Sequence, residues 1–403
     1  MRLPLFYFFL YAATGITIGY LPPWFRSLGL DGGRIAMATS IQPLFLVFVP
    51  PIWGYLADRS RRPVALLRLA CCGGAVAFSF LAGAQGFVAV AAILAIYSLF
   101  ATANSSLADS VAVVEAKARG TEYARIRLWG SVGYVVSAWA FGAWLSSGGA
   151  TGDAVRAASL LMAAYAAATF LLRERPSTEG SAADNRAAAA GVPAPPEAAR
   201  RAPDLRAAAG LLRRPALLVF FAAATLHWMA LAPYHVFFAI HLQDLGAPAS
   251  LAGTGFAVAV LAEVAVMWRF RDLASRLPPA LLLSLAFGSG ALRWLVTGLA
   301  PSGAVVAAAQ VLHGLGFGAF LAASIAWLEE HVPSHLRATG RALFSSLVFG
   351  VGGVAGNLLA GALYDAGGGS LAFVAASLLE LAPALLILAP VASRRAAADQ
   401  PSL

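Results

Sequence analysis

Three ionisable residues lie inside long apolar stretches in the second half of the sequence. Glu263, Arg293 and His313 occur one per stretch, and each is away from the ends of its stretch. A charge at the centre of a bilayer costs ~2.5 to 3.5 kcal/mol even on lenient scales, so it needs a partner or a water-filled cavity. An acid, a fixed cation and a group that titrates near neutrality can bind and release a proton together. We therefore predict a proton-coupling site formed by these three residues.

A carboxylate and a guanidinium form a second candidate pair in the first half. Asp109 is expected to end one apolar stretch and Arg127 to begin the next. Such groups neutralise one another until a polar solute takes over their hydrogen bonds, so the pair predicts a substrate site. A plain ion pair at the helix ends is the alternative.

Three more polar residues lie within apolar stretches. Asn104 and His227 either face the same cavity as the substrate pair or form hydrogen bonds between helices. Glu380, near the centre of the last stretch, is interpreted as a structural acid, with a second proton site as the alternative.

The apolar stretches that carry these residues dominate the chain. Of its 403 residues 60% are hydrophobic and only 12% charged, and the mean hydropathy is +0.76. A bilayer core takes ~20 apolar residues per helix, so this length predicts an all-α membrane protein of twelve transmembrane helices. The spans are predicted at 3–25, 34–57, 64–84, 87–109, 125–147, 154–173, 216–240, 250–270, 279–299, 302–328, 339–362 and 370–391.

The spans divide into two halves of six. Residues 1–173 form the first half, residues 174–214, rich in Ser, Ala, Pro and Arg, a linker, and residues 215–403 the second half with a short tail. A shift of 214 residues moves Asp58 onto Asp272 and Arg127 onto Arg341. Two pseudo-symmetric parallel repeats would produce this match.

The basic residues report topology. The formal charge is +9 and the pI about 10.1, values that would suggest nucleic acid in a soluble protein. All but four of the 28 basic residues, however, fall in alternate loops and at the ends of the chain. Because cytoplasmic loops carry the excess of Lys and Arg, we predict an inner-membrane protein whose termini and linker are cytoplasmic, with no nucleic-acid partner. The exceptions are Arg26, Arg34, Arg156 and Arg293.

The loop after the second span carries a family resemblance. Residues 54–63 read GYLADRSRRP and resemble the GxLaDrxGrrp signature of the major facilitator superfamily, although Ser60-Arg61 stands where a Gly often occurs. The resemblance implies the major facilitator fold and a conformational latch between cytoplasmic helix ends. It assigns the latch to Gly54, Asp58, Arg59 and Arg62.

Two further resemblances concern the candidate sites. Glu263, Arg293 and His313 resemble the proton-coupling residues of lactose permease and its relatives, with the same Arg-to-His separation of 20 residues and the same Leu-His pair. The carboxylate that the permease carries one turn after its His is Gly316 here, which makes Glu263 the predicted proton carrier.

Residues 123–134, YARIRLWGSVGY, look like the GRxRxxGxxGw stretch of the oligosaccharide/proton symporters and of the phenylpropionate permease group. The acid-to-Arg separation of 18 residues agrees with theirs. The resemblance implies that Arg127 binds substrate, that Asp109 is its acidic partner, and that Tyr134 stacks under a sugar ring.

The resemblance as a whole implies a proton symporter of a small organic solute, a phenylpropionate-like aromatic carboxylate in the first instance. A sugar or nucleoside is the alternative, although Val266 replaces the amide that helps the permease hold its sugar. A uniporter or antiporter of the same fold, or a sensor that transports nothing, are further alternatives. We expect a monomer in the lipid bilayer whose partners are a small-molecule substrate and protons. We expect no enzymatic activity, no cofactor and no metal. The sequence has no GxxxxGK[ST] nucleotide loop.

Overall fold

The computed structural model describes residues 2–60, 62–174 and 205–387, apart from the side chains of Asp58 and of residues 205–207. These residues form helices and turns, with no strand among them. The predicted linker 174–214 therefore lies mostly outside the described residues, and its described end contains a short helix, Leu205–Leu212.

The first half of the described chain forms six long helices. They are α1 (Arg2–Ser27), α2 (Gly32–Ser60), α3 (Pro63–Ser79, extended by a 3₁₀ turn Phe80–Gly83), α4 (Gly86–Arg119), α5 (Tyr123–Ser146) and α6 (Asp153–Thr169).

The second half repeats the pattern. Its helices are α7 (Pro215–Asp244), α8 (Ala249–Ala274), α9 (Pro279–Leu299), α10 (Gly303–His331), and the segment Ser334–Leu386, which divides into α11 and α12. The division falls at Gly367 and Gly368, whose backbone leaves the helix; Gly368 has a φ of +68°, which glycine adopts without strain.

The described residues contain ten helices that are long and apolar enough to cross a membrane. The segment Ser334–Leu386 counts once among these ten but forms two spans, and α6, with 17 residues, adds a twelfth. The predicted all-α fold is therefore confirmed. One predicted boundary is wrong: α4 does not end at Asp109 but continues to Arg119, so Asp109 lies well inside the helix.

Several spans depart from regular α geometry where polar residues cluster. The helix α4 is interrupted at Thr102 and Ala103, and α7 at Leu231, two residues before Pro233. Proline has no N–H to continue the helical ladder, which accounts for the second interruption. The helix α10 contains a π-helical segment, Gly314–Ala319, directly after His313, and α11 contains another, Ser345–Val351.

One apolar cluster lies mainly in the first half and extends to α7, a second lies in the second half, and a third forms where α5, α7 and α8 meet. The halves pack mainly through α5 against α8 and α2 against α11. Small residues allow this approach: a Cβ at Gly253 of α8 would lie 2.5 Å from the carbonyl oxygen of Ala138 in α5.

Among the described residues, hydrogen bonds between the halves are confined to one end of the bundle. We call it the distal end, because it is opposite the end at which α1 begins. Here Arg26 forms an ion pair with Asp244 (2.6 Å), and both carboxylate oxygens of Asp365 accept from the backbone N–H groups of Gly32 and Gly33 (2.7 Å each). The N–H of Ser250 donates to Ser146 Oγ (2.8 Å). Between described groups, all hydrogen bonds that join the halves are at this end, so the structure is closed there.

Candidate functional site

Arg293 in α9 is the centre of a buried polar network in the second half. Its Nε and Nη2 donate to Gln310 Oε1 (2.8 and 2.5 Å), and its Nη1 donates to His313 Nδ1 (2.8 Å). The guanidinium also lies over the rings of Tyr234 (4.2 Å) and Trp294 (4.1 Å), a cation–π arrangement. The side chain is 1% exposed. Arg293 is thus fixed inside the protein and does not extend to the membrane surface.

The histidine of this network faces the predicted acid. Guanidinium groups only donate, so His313 Nδ1 accepts, and a proton on the ring lies on Nε2. Nε2 is 3.8 Å from Glu263 Oε2. The side chain of Glu263 is 21% exposed, whereas that of His313 is 6% exposed. The structure therefore brings together the three residues predicted to form a proton site, with Glu263 at the accessible edge.

Tyrosines surround the predicted substrate pair in the first half. Asp109 accepts hydrogen bonds from the hydroxyls of Tyr7 (2.5 Å) and Tyr123 (2.8 Å). Arg127 donates to the hydroxyl of Tyr11, and its guanidinium lies 3.9 Å from the centre of the Tyr11 ring. Asp109 and Arg127 interact electrostatically but are not among the ion pairs of the described residues, and each side chain forms its hydrogen bonds with tyrosine hydroxyls instead.

The two sites face each other across the interface between the halves. Glu263 of α8 interacts electrostatically with Arg127 of α5. Tyr134 lies about two helical turns after Arg127 on α5. It interacts electrostatically with Glu263 and Arg293, and it packs against the apolar cluster between the halves. We call Arg127, Tyr134, Glu263, Arg293 and His313 the central site.

Two residues predicted to bind substrate lie elsewhere. Asn104 is buried in the core of the first half, where it contacts Cys71 Sγ (3.7 Å) and bonds with Tyr165. His227 is buried between α7, α10 and α12 and bonds with Glu380. Both therefore form contacts between helices, which was the alternative, because burial within one half removes them from the interface.

The central site has neighbours that sequence reasoning did not assign to it. Tyr234 supports Arg293, and His235 is partly exposed beside Trp228 (rings 5.7 Å apart) and interacts with Arg293. Gln310 binds both Arg293 and Thr297. Its spacing of three residues before His313 places both on one helix face, a signal that was available in the sequence.

The predicted latch is described in part. Gly54 is buried, while Arg59 and Arg62 are exposed, and Arg59 Nη1 donates to the hydroxyl of Tyr55 (3.1 Å). The side chain of Asp58 lies outside the described part of the chain. Among described side chains, Glu174 accepts from the N–H groups of Val64 and Ala65 at the start of α3.

Comparison with known proteins decides the family. The sequence model of the MFS_1 like family matches residues 1–375. The chain belongs to this family. It is 27% identical over 364 residues to the maltose permease of Geobacillus stearothermophilus, covering 90% of this chain and 87% of that protein. It is 22% identical over 364 residues to the uncharacterized transporter YwbF of Bacillus subtilis, covering 89% and 85%.

Solved structures agree with the fold. The nucleoside transporter NupG superposes with a TM-score of 0.81 at 16% identity, over 96% of this chain and 98% of that one. A bacterial homolog of the human lysosomal transporter Spinster, in an inward-facing and unoccupied conformation, gives 0.72 at 16% identity, over 100% and 97%.

The chain is therefore a multi-pass membrane transporter of the major facilitator type, and it is not an enzyme. Membership of the phenylpropionate or lactose permease group stays a prediction. Among the described residues, no group of His, Cys, Asp or Glu could hold a metal ion.

Proposed function

We propose that this transporter is a proton-coupled symporter that carries a small organic solute across the inner membrane, with both termini cytoplasmic. The observation that carries the proposal is the position of Glu263. This partly exposed acid lies between His313 of its own half (3.8 Å) and the field of Arg127 in the other half. Glu263 therefore interacts with both the proton site and the solute site.

Coupling would follow from this position. While Glu263 is ionised, Arg127 stabilises its charge across the interface. A solute that binds Arg127 and draws its guanidinium away from Glu263 weakens that stabilisation, so binding of the solute and protonation of Glu263 favour each other. With the proton and the solute both bound, the acid is neutral, and the halves can rearrange around the site without moving an unpaired charge.

The roles of the other charged residues follow from their contacts. Arg293 is buried and already donates to Gln310 and His313 while two rings lie against it, so we assign it to holding His313 toward Glu263 rather than to the solute. Arg127 is assigned to the solute, because its described hydrogen bond is to a tyrosine hydroxyl that a solute can replace. Asp109 would keep Tyr7 and Tyr123 in place beside it.

The solute class divides into two candidates. A sugar or nucleoside is favoured by the likeness to the maltose permease and by an Arg, an acid and tyrosine rings around one site, which suit a polar ring with hydroxyls. An aromatic carboxylate is the second candidate, since Arg127 supplies the cation that such an anion needs and Trp228, Phe317 and Phe349 pack together nearby on the second half.

The proposal also covers the organisation of the chain in the membrane. We propose a monomer with halves 1–173 and 215–403 joined by the linker 174–214, and a latch formed by Gly54, Asp58, Arg59 and Arg62 at the cytoplasmic end. With cytoplasmic termini, the distal end faces outward, so the described conformation is closed to the outside.

The test uses purified protein in liposomes with an imposed inward proton gradient. Radiolabelled maltose, uridine and 3-phenylpropionate are offered, and accumulation and exchange are measured for wild type and Glu263→Gln. We expect the variant to lose uphill accumulation but to keep exchange of the same solute, because the amide cannot carry a proton.

The control is Glu122→Gln, the same chemical change at a side chain that is 77% exposed. Uphill accumulation by Glu263→Gln would refute the assignment of the proton carrier. Absence of flux for all solutes under every gradient would favour the sensor alternative.

A further inference from the structure

A second buried acid and histidine lie behind the central site. Glu380 in α12 and His227 in α7 are both fully buried, with His227 Nδ1 2.8 Å from each carboxylate oxygen. His227 Nε2 is 2.9 Å from the carbonyl oxygen of Gly316 in α10. The mechanism proposed above does not use this pair.

The contacts fix the number of protons that the pair holds. A carbonyl oxygen only accepts, so Nε2 of His227 must carry a hydrogen in order to bond with Gly316. Close contact of Nδ1 with the carboxyl group then needs one more hydrogen between them, on either partner. An imidazolium with a carboxylate and a neutral imidazole with a carboxylic acid both satisfy this. In either case the pair has no net charge, which suits a site with no exposed surface.

The carbonyl that His227 binds lies within the π-helical segment of α10. In a regular α-helix the N–H of Phe320 would donate to Gly316, but here it donates to Phe317. An unsatisfied backbone carbonyl in a membrane interior costs several kcal/mol. His227 therefore gives the Gly316 carbonyl a donor in place of the α-helical one that this carbonyl has lost. That segment begins directly after His313.

The pair also reaches the central site through α9. Trp294 Nε1 donates to Glu380 Oε1 (3.4 Å), and the same ring lies under the guanidinium of Arg293. The charged and titratable groups near the pair are thus Arg293 on α9 and His313 on α10, and both belong to the central site.

We infer that His227 and Glu380 are positioning residues that form a neutral clamp and keep the proton they share. The clamp fixes the turn of α10 that presents His313, and it fixes the Trp294 ring that lies against Arg293. The inference rests on the proposed proton-coupling role of Glu263. It assigns Glu380 no part in carrying protons across the membrane.

One substitution separates a clamp from a second proton carrier. Glu380→Gln keeps the shape: its amide N–H can donate to Nδ1 of a neutral His227, and its oxygen can accept from Trp294. His227→Ala removes the donor to Gly316. Infrared difference spectra of the purified protein between acidic and alkaline buffers detect carboxyl groups that change protonation, and they need no solute.

The clamp predicts that Glu380→Gln retains every pH-dependent carboxyl signal of the wild type, with unchanged midpoints. His227→Ala should keep the Glu263 signal but move its midpoint by about 1 pH unit in either direction, the size of effect that relocating a nearby charge or hydrogen bond produces. A purely structural role would lower thermal stability and leave that midpoint unchanged, which would overturn the inference.

Loss of a carboxyl signal in Glu380→Gln would also overturn it, because the pair would then exchange its proton. This outcome is readable even if His227→Ala fails to fold. A Glu263→Gln sample, measured alongside, identifies the Glu263 signal. If no signal disappears in that sample, the proposed function fails, independently of the result at Glu380.

Discussion

The two halves of the transporter hold their interior arginines in different ways. In the first half, Arg127 is partly exposed and bonds to the hydroxyl of Tyr11. In the second half, Arg293 is 1% exposed and is held by Gln310 and His313 and by rings on two sides.

The difference lies in how easily the partners can be exchanged. A tyrosine hydroxyl can rotate and can donate as well as accept, so it can give up Arg127 to a solute at small cost. The partners of Arg293 are buried, and Gln310 is itself held by hydrogen bonds to the hydroxyl of Thr297 and the carbonyl of Val306. Removing Gln310 or His313 would leave the buried charge of Arg293 without part of its hydrogen bonds. The comparison therefore supports an adaptable solute site facing a fixed proton site.

The largest effect is expected for Arg293→Lys. An ammonium keeps the charge but cannot bond with Gln310 and His313 together while lying flat over two rings. Each lost charged hydrogen bond costs about 1.5–3 kcal/mol, so we expect a clear fall in melting temperature and loss of proton-driven accumulation. Arg156→Lys, at a side chain that is 77% exposed, is the matched control. A variant as stable and active as wild type would show that the second site is not fixed.

Arg127→Lys tests the first-half arginine in the same way. We expect weaker solute binding, by about tenfold or more, because the planar fork is lost, with little change in melting temperature. Affinity is measured by exchange of whichever solute the wild type carries. Equal affinity would remove Arg127 from the solute site, and a fall in stability like that of Arg293→Lys would erase the contrast between the halves.

Asp365→Asn tests whether the halves move relative to each other at the distal end. Its carboxylate bonds with Gly32 and Gly33 of the other half, and the amide retains one acceptor. Loss of one charged hydrogen bond, about 1.5 kcal/mol, should raise the population open at the distal end about tenfold.

Spin labels at Arg34→Cys and Gln243→Cys would report the change as a longer distance distribution. Asp31→Asn is the control, because Asp31 lies at the same end but bonds within its own half, to Arg34. Identical distributions for Asp365→Asn and wild type would show that these bonds do not hold the closed state.

The smallest effect is expected for Tyr11→Phe, which removes the hydroxyl bonded to Arg127 but keeps the ring beneath it. A hydrogen bond of this kind contributes about 0.5–1.5 kcal/mol, so solute affinity should change less than tenfold. Tyr165→Phe removes a hydroxyl that bonds with Asn104 in the core of the same half. It should leave affinity unchanged, and an equal change in both variants would place the effect in general packing.

Hydropathy predicted the spans well because membrane thickness imposes helix length, and ionisable residues in apolar stretches located the central site because the bilayer penalises them. The prediction for α4 ended at Asp109 because a charge was taken as a boundary. In the structure, two tyrosine hydroxyls satisfy that charge inside the helix.

Position along a span gives depth in the membrane but not the neighbour that a side chain meets. The sequence therefore left His227 open between the cavity and a bond between helices, because its partner Glu380 lies 153 residues further along the chain. The π-helical segment that brings Gly316 to His227 was equally hidden, since its glycines fit ordinary close packing as well.

Proton movement during downhill solute entry tests the central claim most directly. Solute is added to de-energised liposomes that contain the protein, and external pH is recorded together with uptake. The account predicts external alkalinisation that accompanies uptake in wild type and vanishes in Glu263→Gln while solute still exchanges. Uptake by wild type without any change in external pH would contradict it.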